Sequence, residues 1–257
     1  MEENVYPRII LGLDVSTACI GVSVIKDNGS DKPEILYLGH KTPKIPRKIK
    51  GIEALCLKKQ IFEDEFVKSI ITQFNITDVV IEEPLLKSNN AITVASLLRF
   101  NGMIAETIYR VLGLVPNFIS SYDARMFSFP QLVALRKYNK KGEVYPIKHI
   151  LKDIKDNKIV LFGAYPYDID KKTVMMNLVN ELYNKETIPW VYDDNGELIK
   201  ENFDACDSLV CALAYANINH YGVEKPVIND YNYNESNGCI NYRTKIWDKL
   251  FSKQLIL

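Results

Sequence analysis

Residues 9–16 have the sequence Ile-Ile-Leu-Gly-Leu-Asp-Val-Ser. This apolar run predicts a buried strand with Asp14 at its end, and residues 20–25 predict a second strand after a short polar break. Asp-Asn-Gly-Ser at residues 27–30 predicts a turn before a third strand over residues 34–38. The stretch therefore predicts an antiparallel meander of three strands that carries one carboxylate on its first strand.

Three further carboxylates flank apolar segments. Glu82 follows Asp-Val-Val-Ile at residues 78–81, a run that predicts another buried strand. Asp204 and Asp207 open an apolar helix predicted over residues 204–217, and their spacing puts both on one face of its first turn. The positive end of the helix dipole favours negative charge at that position.

Four acids gathered in one cleft would repel one another unless cations bound between them. Carboxylate oxygens are hard ligands that suit magnesium or manganese. Two such ions can clamp one phosphodiester, one activating water and the other stabilising the leaving oxygen. Asp14, Glu82, Asp204 and Asp207 therefore predict a metal-dependent nuclease with two ions per site, Mg²⁺ or a substituting Mn²⁺.

Each acid alone also has an ordinary structural interpretation. An Asp at a strand end, such as Asp14, is often a cap or turn former, and Asp204 fits the N-cap position of its helix. Several acids in register are instead typical of a functional site. Because strand side chains alternate between faces, only one of Glu82 and Glu83 can point toward Asp14.

The composition limits the functional classes. Among 257 residues, 32 basic and 32 acidic side chains give a formal net charge of zero, so any grip on nucleic acid has to come from local patches. Five cysteines without a Cys-x-x-Cys pair and three histidines argue against a zinc site. The sequence shows no signal-peptide pattern and no apolar run of about 20 residues, so we expect a cytoplasmic protein without a membrane segment.

The middle of the chain predicts helices, one further strand and two basic segments. Helical spacing occurs at residues 52–74, 91–112 and 171–183, a strand is predicted at 115–120, and a hairpin or loop at 189–198. Residues 40–50 predict a loop with no acid and five basic side chains, Lys41, Lys44, Arg47, Lys48 and Lys50. Residues 130–167 predict a basic insertion with a short helix at 147–154 and an extended piece at 158–162. Either basic segment can face phosphate groups or simply be solvated.

The C-terminal part predicts an extension of the main domain. Residues 229–241 are rich in Asn and Tyr and predict a linker, which an amphipathic stripe containing Trp247 and Phe251 follows. That stripe can pack on its own domain or contact a partner. We therefore expect a nuclease domain over residues 1–218, with the insertion at about 130–167, and a linker plus extension over residues 219–257.

The order of these motifs resembles the RuvC branch of the ribonuclease H-like superfamily. The matching motifs are Leu-Gly-Leu-Asp-Val-Ser-x-x-x-x-Gly-Val at residues 11–22, Val-Val-Ile-Glu-Glu-Pro at 79–84, and Asp-Ala-Cys-Asp-Ser-Leu-x-x-Ala-Leu-Ala at 204–214. The resemblance covers roughly two-thirds of the chain and leaves out residues 130–167 and 219–257. It implies an α/β fold with a mixed five-stranded sheet and helices on both faces.

The resemblance also implies an activity, a magnesium-dependent endonuclease that resolves Holliday (four-way) junctions or other branched DNA. The family's products carry a 5′-phosphate and a 3′-hydroxyl. Because a four-way junction has near two-fold symmetry, the resemblance implies a homodimer. Phage and other viral members of the family vary outside the motifs as this sequence does, so the resemblance implies a bacteriophage or other viral member acting in the host cytoplasm; frequent Lys, Asn and Ile fit an AT-rich genome.

The family pattern assigns roles to individual residues here. It puts the strand ligand at Glu82 rather than Glu83, and it places a lysine near the scissile phosphate, for which the register favours Lys171 over Lys172. Residues 121–125 resemble the region where Ala-Arg opens a helix, which makes Arg125 a candidate DNA contact. The aromatic residue that usually follows the glutamate by three positions is Leu85 here, so branch recognition departs from the family pattern at this point.

Other functions remain open on the sequence. A related ribonuclease H-like nuclease could act on flaps, forks, linear DNA or RNA–DNA hybrid. Leu-Gly-Leu-Asp-Val-Ser-Thr at residues 11–17 also resembles the phosphate loop of sugar-kinase and actin-like ATPases. A third alternative is a non-catalytic DNA-binding or virion module, although retention of all four acids argues against it.

Overall fold

The computed structural model describes residues 7–29, 32–84, 90–129, 134–135, 171–221, 231–234 and 239–242. Its main sheet has five strands in the order β3-β2-β1-β4-β5. These strands are β1 (Arg8–Val15), β2 (Ile20–Asp27), β3 (Glu34–Lys41), β4 (Asp78–Glu82) and β5 (Asn117–Ile119). The first three strands pair antiparallel, whereas β4 runs parallel to β1 and β5 parallel to β4. The predicted mixed five-stranded sheet is confirmed.

In the described part of the chain, five α-helices cover the two faces of this sheet. They are α1 (Gly51–Phe62), α2 (Ala91–Leu112), α3 (Ser121–Ser128), α4 (Lys171–Tyr183) and α5 (Asn202–Tyr221). Helices α1 and α2 pack on the face that presents Leu11 and Leu13, and α3, α4 and α5 pack on the face that presents Ile10 and Val80. Every described helix is too short or too polar to cross a membrane.

Helix α2 shows how local chemistry defines an element. The side chain of Asn90 accepts hydrogen bonds from the backbone N–H groups of Ile92 and Thr93, which fixes the start of the helix. Gly113 ends it with φ 72°, a left-handed conformation that glycine adopts without a steric penalty. The predicted helix over 91–112 with Gly113 as its C-cap is confirmed.

The segment after α1 differs from the continuous helix predicted over residues 52–74. Helix α1 ends at Phe62, a π-helical turn covers Glu63–Val67, and a short 3₁₀ turn covers Ile71–Gln73. The wider π turn allows Phe62, Phe66 and Val67 all to be buried, and the two phenyl rings stack with centroids 5.6 Å apart. Core packing therefore overrides the regular helical period here.

Glu63, a buried carboxylate in this π turn, links α1 to α2 through ion pairs with partly exposed cations. Its side chain is 4% exposed and lies 2.8 Å from Lys59 Nζ and 2.9 Å from Lys68 Nζ, and it also accepts a hydrogen bond from Arg110. Hydrogen bonds from Arg110, Lys59 and Lys68 hold the pKa of this carboxyl well below its usual range. The network stabilises the folded state above pH about 4.5, and this contribution is lost as the pH falls and Glu63 is protonated.

We expect Glu63→Gln to lower the free energy of unfolding by about 2 kcal/mol at pH 7, because three partly exposed cations lose their common counter-charge. Urea denaturation at pH 7 and at pH 4 measures the loss, which should be smaller at pH 4. Glu106→Gln is the matched control, since exposed Glu106 forms an i,i+4 pair with Arg110 and no other ion pair among the described residues. That change should alter stability by less than about 0.5 kcal/mol. Equal stability of the two variants would contradict the role assigned to Glu63.

A small second sheet lies outside the main one. It has the order β6-β8-β7 and consists of β6 (Ala134–Leu135), β7 (Tyr231–Asn234) and β8 (Cys239–Tyr242). The prediction of a linker over 229–241 is therefore wrong for its two strands. The alternation Tyr-Asn-Tyr-Asn in β7 has the period of a strand. The polar composition of the segment instead favoured the prediction of a linker.

Some predictions fall on residues that the structure does not describe. The helix at 147–154, the extended piece at 158–162, Leu85, Trp247 and Phe251 all lie outside the described residues.

Candidate metal centre

Two parallel strands bring the first two acids together. Strands β1 and β4 pair through Leu13 and Ile81, so the next residue of each strand, Asp14 and Glu82, lies at the same edge of the sheet. Helix α5 adds Asp207 from its first turns. Carboxylate oxygens of Asp14, Glu82 and Asp207 all lie within 4.8 Å of one another. We call these three residues the acid trio.

Alternation along β4 separates the two glutamates. Glu82 points toward Asp14 and Asp207, whereas the next residue, Glu83, is exposed and donates its backbone N–H to Ile119 O at 2.8 Å. The structure thus places Glu82, and not Glu83, beside Asp14, as expected for side chains on opposite faces of one strand.

Two glycines allow α5 to lie directly on the sheet. A Cβ atom at Gly21 would sit 1.9 Å from the carbonyl oxygen of Asp204, and one at Gly12 would sit 2.3 Å from the carbonyl oxygen of Ser208. The backbone of the helix therefore touches the backbone of β1 and β2, which only glycine permits. This contact holds the first turns of α5 over the end of β1.

Asp204 lies in the first turn of α5, but it does not cap the helix. The helix begins at Asn202, two residues before the predicted start. The buried amide of Asn202 accepts a hydrogen bond from Val191 N at 3.0 Å and donates one to Val191 O at 2.6 Å. Asp204 is thereby free of a capping role, and it lies outside the acid trio.

Two cations contact the acids of α5. Lys172 Nζ lies 3.2 Å from Asp204 Oδ1 and 3.6 Å from Asp207 Oδ2, and Arg125 Nη2 lies 3.7 Å from Asp207 Oδ1. The family pattern favoured Lys171 for the position near the phosphate. The structure shows Lys172 beside the acids, and the side chain of Lys171 lies outside the described residues. Arg125, a predicted DNA contact, is 17% exposed and paired with Asp207.

Burial and mutual repulsion make the acid trio difficult to ionise without a cation. Burial, followed by the charges of Glu82, Asp207 and Asp204, raises the pKa of Asp14 well above its ordinary value. Burial and the charge of Asp207 raise the pKa of Glu82 to about 7. Burial also raises the pKa of Asp207, although Arg125 and Lys172 oppose the shift.

A divalent ion fits this donor set. The trio offers closely spaced, mostly buried carboxylate oxygens, the hard ligands that magnesium and manganese prefer. An ion bound there would supply the positive charge that the acids need to ionise together. The residues therefore suit such a metal, with Asp14, Glu82 and Asp207 as its ligands.

Two buried thiols that the sequence did not single out as site residues adjoin the acids. Cys211 Sγ lies 4.0 Å from Glu82 Oε2, and Cys206 lies between Asp204 and Asp207 along α5. Burial raises the pKa of both thiols well above the ordinary value, so they stay neutral. The sequence feature that could have identified Cys211 as a neighbour of the acids is its position four residues, about one helical turn, after Asp207.

The basic loop begins at the same edge of the sheet as the acids. The last residue of β3, Lys41, pairs with Ile20, which pairs with Val15 next to Asp14. Lys41 itself forms an ion pair with Glu65. The four other predicted DNA contacts of this loop are exposed: Lys44, Arg47, Lys48 and Lys50.

The raised pKa of Glu82 predicts a pH dependence of the metal-free protein. Its folded pKa of about 7 exceeds the ordinary 4.5, so the folded state holds this proton more tightly than the unfolded state does. Stability therefore falls as the pH rises from about 4.5 to 7, by about 2–3 kcal/mol from this group. Urea denaturation in EDTA at pH 5.5 and 7.5 measures the loss, and saturating Mg²⁺ should restore stability mainly at pH 7.5. A metal-free protein equally stable at both pH values would contradict this assignment.

The sheet order, the two-sided helix packing and the acids at one strand edge define a ribonuclease H-like fold. The structure is similar to Thermus thermophilus RuvC in complex with a Holliday junction substrate, with a TM-score of 0.51, 13% identity, and coverage of 85% of this chain and 99% of that chain. It also resembles T. thermophilus RuvC itself (TM-score 0.48, 13% identity, 85% and 99% covered). Another similar structure is the yeast mitochondrial Holliday junction resolvase Ydc2 (TM-score 0.45, 13% identity, 84% and 81% covered). No family model and no curated protein matches the sequence. The likeness to the first of these structures, at 13% identity and a TM-score of 0.51, shows the fold alone.

Proposed function

We propose that this protein is a divalent-metal-dependent endonuclease that resolves four-way DNA junctions. The observation that carries the proposal is the acid trio, with three carboxylates from two strands and a helix within 4.8 Å at one edge of a ribonuclease H-like sheet. Such a donor set is typical of phosphodiester hydrolysis. The T. thermophilus RuvC structure of the same fold contains a Holliday junction substrate, and this motivates the choice of DNA substrate.

The residues of the site have distinct roles in this proposal. Asp14, Glu82 and Asp207 would hold the metal, Mg²⁺ in the cell or Mn²⁺ in its place, and Asp204 would add a ligand in the presence of substrate. Such a metal would supply activation of water and stabilisation of the leaving oxygen. Arg125 orients the carboxylate of Asp207 through their ion pair. The products would carry a 5′-phosphate and a 3′-hydroxyl.

The exposed basic loop is the proposed DNA contact beside the metal centre. A protein with no net charge needs a local patch to bind phosphate groups, and Lys44, Arg47, Lys48 and Lys50 supply one at the edge of the sheet that carries the acids. Leu85 and Lys171 are further proposed contacts. Two symmetric cuts in one junction require two active sites, so we propose that the protein acts as a homodimer.

Side-by-side cleavage of labelled substrates tests the function. The set comprises a four-way junction, a fork, a flap, linear duplex and RNA–DNA hybrid, each incubated with wild type or Asp207→Asn in Mg²⁺ or EDTA. We expect the wild type to cut the junction fastest, only with metal, and Asp207→Asn to be inactive. Faster cleavage of another substrate would show that this substrate, and not the four-way junction, is the preferred one. Equal cleavage by both proteins would contradict the assigned site.

A further inference from the structure

We propose that the free protein binds a single divalent ion, and that the ammonium group of Lys172 occupies the place of a second. The inference rests on the proposed metal centre, but it concerns how many ions bind before DNA arrives. It assigns Lys172 a role as a built-in cation that competes with metal for Asp204 and Asp207.

The geometry divides the four acids into two sets. The oxygens of Asp14, Glu82 and Asp207 converge within 4.8 Å, and Asp204 is outside this group. Asp204 Oδ1 is instead 3.2 Å from Lys172 Nζ, and the same ammonium lies 3.6 Å from Asp207 Oδ2. A lysine ammonium is a compact, strongly charged group, so it serves as a positive charge between two carboxylates much as an ion would.

The charges of the site point to the same division. Four ionised acids carry four negative charges, and Lys172 and Arg125 together carry two positive charges. With all four acids ionised, one divalent ion makes the site neutral, whereas a second would leave two uncompensated positive charges beside the buried carboxylate of Asp207, which electrostatics opposes.

DNA changes this balance. A phosphodiester contributes one negative charge, and release of Lys172 removes one positive charge, so a second ion can then enter with the site again neutral. The side chain of Lys172 is 46% exposed, and its end can move toward solvent or phosphate without disturbing the core. The structure thus assigns Lys172 the function of coupling entry of the second ion to the arrival of substrate.

Counting bound Mn²⁺ in the absence of DNA tests the inference, by isothermal titration calorimetry and by electron paramagnetic resonance of free Mn²⁺ at pH 7.5. We expect one ion for the wild type, two for Lys172→Met, and one for Lys172→Arg, which keeps the charge. Lys200→Met is the matched control, because this exposed lysine lies just before α5 and its loss changes the net charge equally; it should bind one ion. A thermal melt of each variant verifies that it is folded.

The outcomes separate the inference from the proposed function. Two ions in the wild type, or one ion in folded Lys172→Met, would overturn the role of Lys172 while leaving the metal centre intact. No bound ion in any variant would overturn both the inference and the metal centre of the proposed nuclease.

Discussion

Asp14→Asn should abolish magnesium-dependent cleavage and at the same time make the metal-free protein harder to unfold. Burial and three neighbouring carboxylates raise the pKa of Asp14, so its charge is unfavourable in the folded, metal-free state. Asparagine has nearly the same shape and no charge, and we expect it to increase the free energy of unfolding by about 1–3 kcal/mol at pH 7.5. The same change removes a metal ligand, and cleavage should fall by about 10³-fold or more.

Urea denaturation in EDTA and in Mg²⁺, together with junction cleavage, measures both effects. Asp194→Asn is the control, because Asp194 is exposed in the loop before α5 and the substitution removes the same charge. It should change neither stability nor cleavage appreciably. Addition of Mg²⁺ should stabilise the wild type and the control more than Asp14→Asn. Lower stability of Asp14→Asn in EDTA, or retained cleavage, would contradict the account of a self-repelling metal centre.

Gly21→Ala should damage both the fold and the site, although it changes a single hydrogen to a methyl group. The new Cβ would lie 1.9 Å from the carbonyl oxygen and 2.2 Å from the carbonyl carbon of Asp204. Both are backbone atoms, so no side-chain rotation relieves the overlap and the first turn of α5 has to move. We expect a loss of about 3 kcal/mol in stability. Displacement of Asp204 and Asp207 should reduce cleavage by about 10²-fold even where the protein is folded.

Gly102→Ala is the matched substitution for this test. Gly102 lies inside α2, and a Cβ there would meet no atom within 4 Å. Alanine at this position should raise stability by about 0.5–1 kcal/mol, because it limits the unfolded chain and favours the helix. Melting temperatures and cleavage at a temperature where all variants are folded give the comparison. Similar behaviour of the two alanine variants would show that the close approach of α5 to β2 is not required.

The elements that the sequence predicted best are those with strong local signals. The three-stranded meander follows from apolar runs separated by a turn, and α2 is bounded by Asn90 and Gly113, whose conformations depend on neighbours in the chain. The positions of the acids at strand ends and in one helical turn likewise predicted that Asp14, Glu82 and Asp207 would meet. These features depend on short-range chemistry and on the general rule that parallel strands end at a common edge.

The features that the sequence did not predict depend on contacts between distant segments. The contact of Lys172 with Asp204 and Asp207 depends on the rotation of α4 about its own axis, which packing sets. The separation of Asp204 from the acid trio depends on the start of α5 at Asn202, which hydrogen bonds to Val191 define. The π turn at Glu63 likewise results from core packing and from Arg110 in another helix.

Anomalous diffraction from crystals of the protein soaked in Mn²⁺ at pH 7.5 is the decisive measurement for the metal centre. We expect an anomalous peak bound by carboxylate oxygens of Asp14, Glu82 and Asp207 in the wild type, and its loss in Asp14→Asn. Absence of a peak among these three residues in the wild type, or a peak that persists unchanged in Asp14→Asn, would contradict the assignment of the acid trio as the metal centre.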